Sequence, residues 1–348
     1  MSNKNQFVAL KIIKNLPQYH ATGVSEIYIH RLLNHAPDHP GKKHVVMPIS
    51  TFEIDGHICM VLPLLSRSLF EGICQIQSPL LILKTVRQIM KQLMQALAFI
   101  HQNGVSHCDV KPDNILYGEE NSDDILLIDF GSATTNGAGQ GQYIQSRFYR
   151  SFEVMLGLEF NNMIDVWSAG CVAAELYLDF AIFACDCESD AVHTMVALLG
   201  PVPEYLLTSA KNWWKFYDMT PKGYKLKMNP TEVLLTRHLY HSIYESTGAV
   251  PLKQIIMEHF PLITQEELDQ VLCFSHFVHG LLNYDTTKRY TAAQALEHPF
   301  ITETPFNENW RPPPGLRPRN QTLEKRPQQI PRSGSLDRLS TSDFLSLM

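Results

Sequence analysis

The sequence predicts an α+β chain built as two lobes, a small β-rich one followed by a large helical one. Two observations predict it. Up to Leu65 the apolar residues fall in short, branched runs separated by turn signals. Beyond Leu65 they recur at helical spacing over long stretches.

Each element follows in order. Phe7–Lys14 (FVALKIIK) is a short apolar run of branched residues and reads as a strand. Gly23–His35 places Val24, Ile27 and Leu32 at helical spacing and reads as a helix. Val45–Phe52 and His57–Leu64 read as two strands joined through Asp55-Gly56, a hairpin turn pair. Ser78-Pro79, a cap residue before a first-turn proline, opens a helix that runs to about Asn103-Gly104. Asn162–Leu178 is a strongly apolar helix, and Thr264–Asn283 opens on the capping box Thr264-x-x-Glu267. Between them, Trp213–Pro261 lacks a firm period and reads as an irregular insert. The lobes are therefore placed at residues 1–65 and 66–302. The Pro-, Arg- and Ser-rich remainder, 303–348, is expected to be a disordered tail.

Composition narrows the function classes. The 348 residues suffice for two lobes that each bury a core, and 45% hydrophobic with 18% charged residues is a soluble, globular balance. A net charge of −6 gives no electrostatic reason to expect nucleic acid or an anionic membrane as partner. The seven cysteines are scattered, and the closest pair, Cys185 and Cys187, has no neighbouring ligand set that would suggest a metal. No secretory signal and no membrane-length apolar run are visible. A reduced protein of the nucleus or cytoplasm is the expectation.

The residues that carry chemistry fit phosphoryl transfer. That reaction needs a cation on the phosphates, oxygen ligands for Mg²⁺ and a carboxylate to take the acceptor's proton. The segment His107–Asn114 (HCDVKPDN) offers Asp109 as the base, Lys111 to neutralise the transferred group and Asn114 as a metal ligand. Asp129-Phe130-Gly131 follows the apolar run Ile125–Ile128, which places Asp129 to chelate the metal. Upstream, Val8-Ala9-Leu10-Lys11 presents a lysine from a strand, and Glu26 on the next helix is its natural ion-pair partner.

From Phe7 to Phe300 these motifs resemble a protein kinase of the group that holds the cyclin-dependent and MAP kinases. FVALKIIKNLPQY, DFGSA, YIQSRFYRS, MIDVW, GPVPEYLL and KRYTAAQALEHPF are most similar to the homeodomain-interacting protein kinases, then to the dual-specificity tyrosine-regulated and LAMMER-type kinases. The resemblance implies a bilobal kinase fold, ATP and Mg²⁺ as cofactors, and Ser/Thr of protein substrates as acceptor. Transcription regulators are the substrates it suggests, for a monomer resident in nucleus or cytoplasm. It places the adenine hinge near Leu62–Leu65, with Leu62 as gatekeeper and Leu65 and Leu116 beside the nucleotide. Tyr143 matches an activation-loop tyrosine that such kinases phosphorylate on themselves, and Arg147 and Arg150 would pair with its phosphate. Asp165 resembles the aspartate that anchors the catalytic-loop backbone, and Arg289 the arginine that pairs with Glu153.

Three departures qualify the likeness. Only ten residues precede Lys11 and none is glycine, so the first strands and the Gly-rich phosphate loop are expected to be missing, in a fragment or a short chain. Cys108 stands where an arginine usually docks an activation-loop phosphate. Phe152 stands where a proline is usual, and its bulk is expected near the peptide platform. The alternative reading is therefore a pseudokinase that serves as scaffold or decoy. A small-molecule phosphotransferase fits poorly, because it would not need YIQSRFYRS or a Glu153–Arg289 pair.

Overall fold

β1 (Val8–Ile12) forms where the branched run lies, and pairs antiparallel with β3 (His57–Pro63), with Lys11 opposite Met60. β2 (Ser50–Ile54) flanks β3 on its other side. The turn between them has φ +48° at Asp55 and +77° at Gly56, the double left-handed geometry that matches the twist of a two-residue hairpin. This computed structural model describes residues 7–72, 78–119, 122–135, 144–227, 251–314 and 337–338. The last of these pair parallel along the outer edge of β2.

α1 (Pro17–Asn34) covers one face of the sheet and begins six residues before the helix expected from Gly23. Pro17 sits at the first helical position, where its missing N–H removes no bond. The strand expected from Val45 starts only at Ser50. Val45 and Val46 leave the sheet because the Val46 N–H bonds to Leu127 O in the large lobe. The chain passes into that lobe after Pro63.

α2 (Leu69–Gly72) is a single turn, and α3 (Pro79–Gln102) is the long helix expected from Ser78-Pro79. β4 (Ile115–Tyr117) and β5 (Ile125–Leu127) form a small hairpin whose register sets Leu116 opposite Leu126. After α4 (Phe152–Met155), α5 (Met163–Leu178) runs through the centre of the lobe with every residue but Glu175 buried. A helix apolar all round belongs in a core, and α3 and helix Gln265–Leu281 pack against this one. The capping box is present in full, since Thr264 Oγ accepts from Glu267 N–H and Glu267 accepts from Thr264 N–H.

Two regions differ from the sequence expectation. Trp213–Pro261 is not irregular throughout: α6 (Glu188–Leu199), α7 (Glu204–Ser209) and α8 (Trp213–Phe216) lead into the hairpin β6 (Tyr217–Thr220) and β7 (Gly223–Leu226), and Leu252–Glu258 is helical. Strands of four residues are too short to show a period. The packed chain also continues past 302. Trp310 stacks edge-on to His298 with centroids 4.6 Å apart, and Phe306 lies 5.3 Å from His276. Composition alone does not register two aromatics among prolines and arginines.

Candidate active site

Between the lobes lies a cavity of about 320 Å³. Ala9 and Val46 line it, with Leu62, Leu65 and Leu116 as its apolar walls and Lys11, Glu26 and Asp129 at its polar end. A wider surface hollow of about 500 Å³ at Asp38–Lys43 contains none of the residues the sequence singled out.

At the polar end Lys11 Nζ donates to Glu26 Oε1 at 2.7 Å, to Oε2 at 3.0 Å and to Asp129 Oδ1 at 2.7 Å. β1 holds the lysine from the sheet and α1 holds the carboxylate beneath it, at 3% exposure. Burial opposes the lysine's charge, but Glu26 and Asp129 outweigh it and raise the ammonium's pKa. Burial raises Glu26, although Lys11 pulls it down. The contact distances are those of an ammonium on carboxylates, so we take the pair as charged. Burial also acts upward on Asp129, but its hydrogen bond and charge interaction with Lys11 leave it below the usual carboxylate range. Asp129 has φ +60°, and its Oδ1 accepts from Gly131 N–H at 3.3 Å. A Cβ at Gly131 would stand 3.2 Å from that oxygen and 3.5 Å from Glu26 Oε2, a close approach that favours glycine there.

The second cluster surrounds Asp109. Its Oδ1 accepts from Ser146 Oγ at 2.6 Å and from Ser146 N–H at 3.1 Å. Its Oδ2 lies 3.1 Å from Lys111 Nζ and accepts from Asn114 Nδ2 at 3.0 Å. Lys111 also donates to Ser146 Oγ at 3.1 Å. Ser146 was not picked from the sequence. It lies inside YIQSRFYRS, where the tyrosine and arginines drew the attention, and only the return of the chain, 37 residues on, places it here.

The backbone that carries Asp109 is held from below. Asp165, fully buried in the first turn of α5, accepts from His107 N–H at 2.7 Å and Cys108 N–H at 2.8 Å. His101 Nε2 donates to the same carboxylate at 2.9 Å. The clamp fixes Cys108 at φ +66°, a conformation costly for a non-glycine residue. The Cys108 side chain is buried against Ser106 O and does not face the cleft. His107 accepts the Asp109 N–H at Nδ1 and donates from Nε2 to Ile128 O, and burial lowers its pKa.

Further out, Glu153 and Arg289 pair in full burial at 2.6 and 2.9 Å. The expectation for Phe152 is corrected: it is fully buried and packs on Tyr284 with centroids 4.6 Å apart, so its bulk lies in the core rather than on the platform. Arg150 is buried and donates to Glu188 and to the carbonyls of Ile144 and Gln145, and Arg147 bonds to Asp186 O. Tyr143, their expected partner once phosphorylated, lies outside the described residues. Gln145, another residue the sequence reading missed, has φ +65° and ties Ser151 N–H and Ser168 Oγ together.

The protein kinase domain family matches residues 1–301 of this chain. The serine/threonine-protein kinase ppk15 of Schizosaccharomyces pombe is 36% identical over 312 residues, 87% of this chain and 58% of that protein. A dual specificity protein kinase YAK1 homolog of Arabidopsis thaliana is 34% identical over 333 residues, 89% and 35% respectively. Dual specificity tyrosine-phosphorylation-regulated kinase 3 of Mus musculus is 32% identical over 329 residues, 91% and 53%. The chain thus spans about a third to somewhat over half the length of these relatives.

Proposed function

From the premise that this chain belongs to the protein kinase family, we propose that it transfers the γ-phosphate of ATP to Ser/Thr of protein substrates. One observation carries the reading. Asp109, held on both oxygens by Ser146, Lys111 and Asn114, is joined to the Lys11–Glu26–Asp129 cluster through His107, whose Nδ1 takes the Asp109 N–H and whose Nε2 bonds to the carbonyl of Ile128, the residue before Asp129.

The roles follow from charge and reach. Asp109 takes the proton of the acceptor hydroxyl, and Ser146 fixes its orientation without a charge of its own. Lys111 sets a positive charge beside the transferred group. Lys11, steadied by Glu26, supplies the cation for the phosphates. Leu62, Leu65 and Leu116 give an apolar slot for a planar base. The donor set suits Mg²⁺, a hard cation that takes few protein oxygens: Asp129 offers its carboxylate, and Asn114 commits its amide nitrogen to Asp109 rather than its oxygen. Asp129 and the Asn114 side-chain oxygen would hold the ion, whose positive charge would offset the negative charge of the phosphates.

The finer placement beside the homeodomain-interacting kinases rests on YIQSRFYRS and GPVPEYLL. Autophosphorylation of Tyr143, transcription regulators as substrates, a monomeric state and residence in nucleus or cytoplasm belong to the same proposal. The test incubates purified chain with Mg²⁺ and ATP beside an Asp129→Asn variant, and reads phosphate on Tyr143 and on a Ser-Pro peptide by mass spectrometry. Transfer by the unmutated chain alone supports the assignment. Equal transfer by both chains refutes it.

A further inference from the structure

Away from the cleft, the small lobe's sheet has an edge that the chemistry above does not use. β2 pairs with β3 residue for residue, from Ser50 opposite Val61 to Ile54 opposite His57, with no bulge and no proline to interrupt it. Its only charged residue is Glu53. The outer side of such a strand, left bare, presents a row of N–H and C=O groups that invites pairing with another chain. Here it is covered. β8 (Asp337–Arg338) runs parallel along it, with Asp337 at the register position of Phe52 and Arg338 at that of Glu53.

Three features fit this segment to that edge. A parallel neighbour needs a long connection, and β8 follows β2 by most of the chain. The second register position sets a residue of positive charge, Arg338, against one of negative charge, Glu53, and neighbours of opposite charge favour one register over its slips. The surrounding sequence, Arg332–Ser342, is rich in serine and holds one β-branched residue, so it suits a guest on an existing strand better than the founder of one. The connection itself is slack. From Trp310, packed on the large lobe, to Asp337 the chain can span up to ~90 Å, and the entropy cost of closing such a loop grows only slowly with its length. The segment therefore reaches the edge without drawing the lobes together.

We propose that the outer edge of β2 is a strand-docking site whose occupant is this chain's own tail around Asp337–Arg338, which caps the small lobe's sheet and keeps a second copy from pairing there. The cap is held by main-chain bonds over two residues and by no buried core, so it docks and releases without unfolding the lobe. It is independent of phosphoryl transfer and stands or falls without it.

The test compares the full chain with Asp337→Pro/Arg338→Pro, which removes both backbone donors of the docked pair. Amide hydrogen exchange is followed across residues 50–54, with β1 (Val8–Ile12), at the opposite side of the sheet, as internal control. Exchange in β2 should quicken by about 2- to 12-fold, the factor one backbone hydrogen bond contributes, while β1 stays as it was. Unchanged exchange in β2 overturns the proposal. A second measurement fixes the register. Parallel neighbours lie about 4.8 Å apart, within reach of a disulfide, so Glu53→Cys with Arg338→Cys should cross-link within one chain under mild oxidation. Thr51→Cys with Arg338→Cys, two positions off register, should not. Mass spectrometry of the digest separates this link from any made by the native cysteines. Equal linking by both pairs overturns the docked register. Linking only between two chains, with β2 protection that falls on dilution, makes a second copy the occupant and overturns the proposal as well.

Discussion

Replacing Arg289 with methionine should destabilise the large lobe more than any exposed substitution. The guanidinium is fully buried and Glu153 is 1% exposed, so the change leaves a carboxylate with neither water nor countercharge. Breaking one side of such a pair costs about 3–5 kcal/mol. The same guanidinium donates to Met163 O and Asn283 O and sits 5.0 Å over the Trp167 ring. With the lost carbonyl partners the total becomes about 4–6 kcal/mol. In a protein of this size that corresponds to a fall in Tm of about 8–12 °C. Urea unfolding followed by far-UV circular dichroism, with a thermal scan alongside, measures both. Glu153→Met combined with Arg289→Met removes the stranded charge and should recover about 1–3 kcal/mol of the loss. A single variant that loses less than about 1 kcal/mol, or a double variant no more stable than the single, would refute the reasoning.

Three further outcomes are expected. Asp165→Asn presents an amide nitrogen where three N–H groups now donate, so the strained Cys108 backbone loosens and kcat for peptide phosphorylation falls by about 100-fold with KM for ATP little changed. Ser146→Ala removes the 2.6 Å bond that orients Asp109; kcat should drop about 10-fold or more while the unfolding midpoint moves by less than about 0.5 M urea. The third outcome concerns pH. Asp129 is depressed, so its contribution is present above the unfolded carboxylate pKa and is lost as pH falls through the folded value. Lys11 is raised, so its contribution is present below the unfolded lysine pKa and is lost as pH rises through the folded value. Burial raises Glu26, so the stability difference between the unmutated chain and Lys11→Met should grow as pH rises through the ionisation of Asp129 and Glu26, reach its maximum below about pH 10 and shrink above it. A difference that keeps growing above pH 11 would show that the ion pair is not its source.

Much of the fold was legible because its signals are local. Ser78-Pro79 and Thr264-x-x-Glu267 marked helix starts that α3 and helix Gln265–Leu281 reproduce to the residue. Asp55-Gly56 marked the β2–β3 hairpin. α1 was read six residues short because Gly23 and the polar residues around it blur the period. That glycine is buried against Ile13, where a Cβ would come within 2.5 Å of the isoleucine's Cδ1. The β6–β7 hairpin carries a turn signal, Pro221-Lys222-Gly223, that the sequence reading passed over, and Trp310 is ordered by the rings of His298 and Tyr290 rather than by its neighbours in sequence.

The candidate site divides along the same line. The residue types and spacing of HCDVKPDN, DFG and VALK singled out by themselves the side chains proposed to act, because the chemistry restricts what can stand at those positions. Tertiary structure alone decided how they meet: Lys11 reaching across 118 positions to Asp129, Ser146 folding back onto Asp109, and Asp165 gripping the loop from α5. It also turned Phe152 into the core and buried His30 against Phe130. A sequence pattern records what a backbone does over a few residues. Contacts between distant segments, and whether a buried polar atom finds a partner, depend on how whole lobes pack.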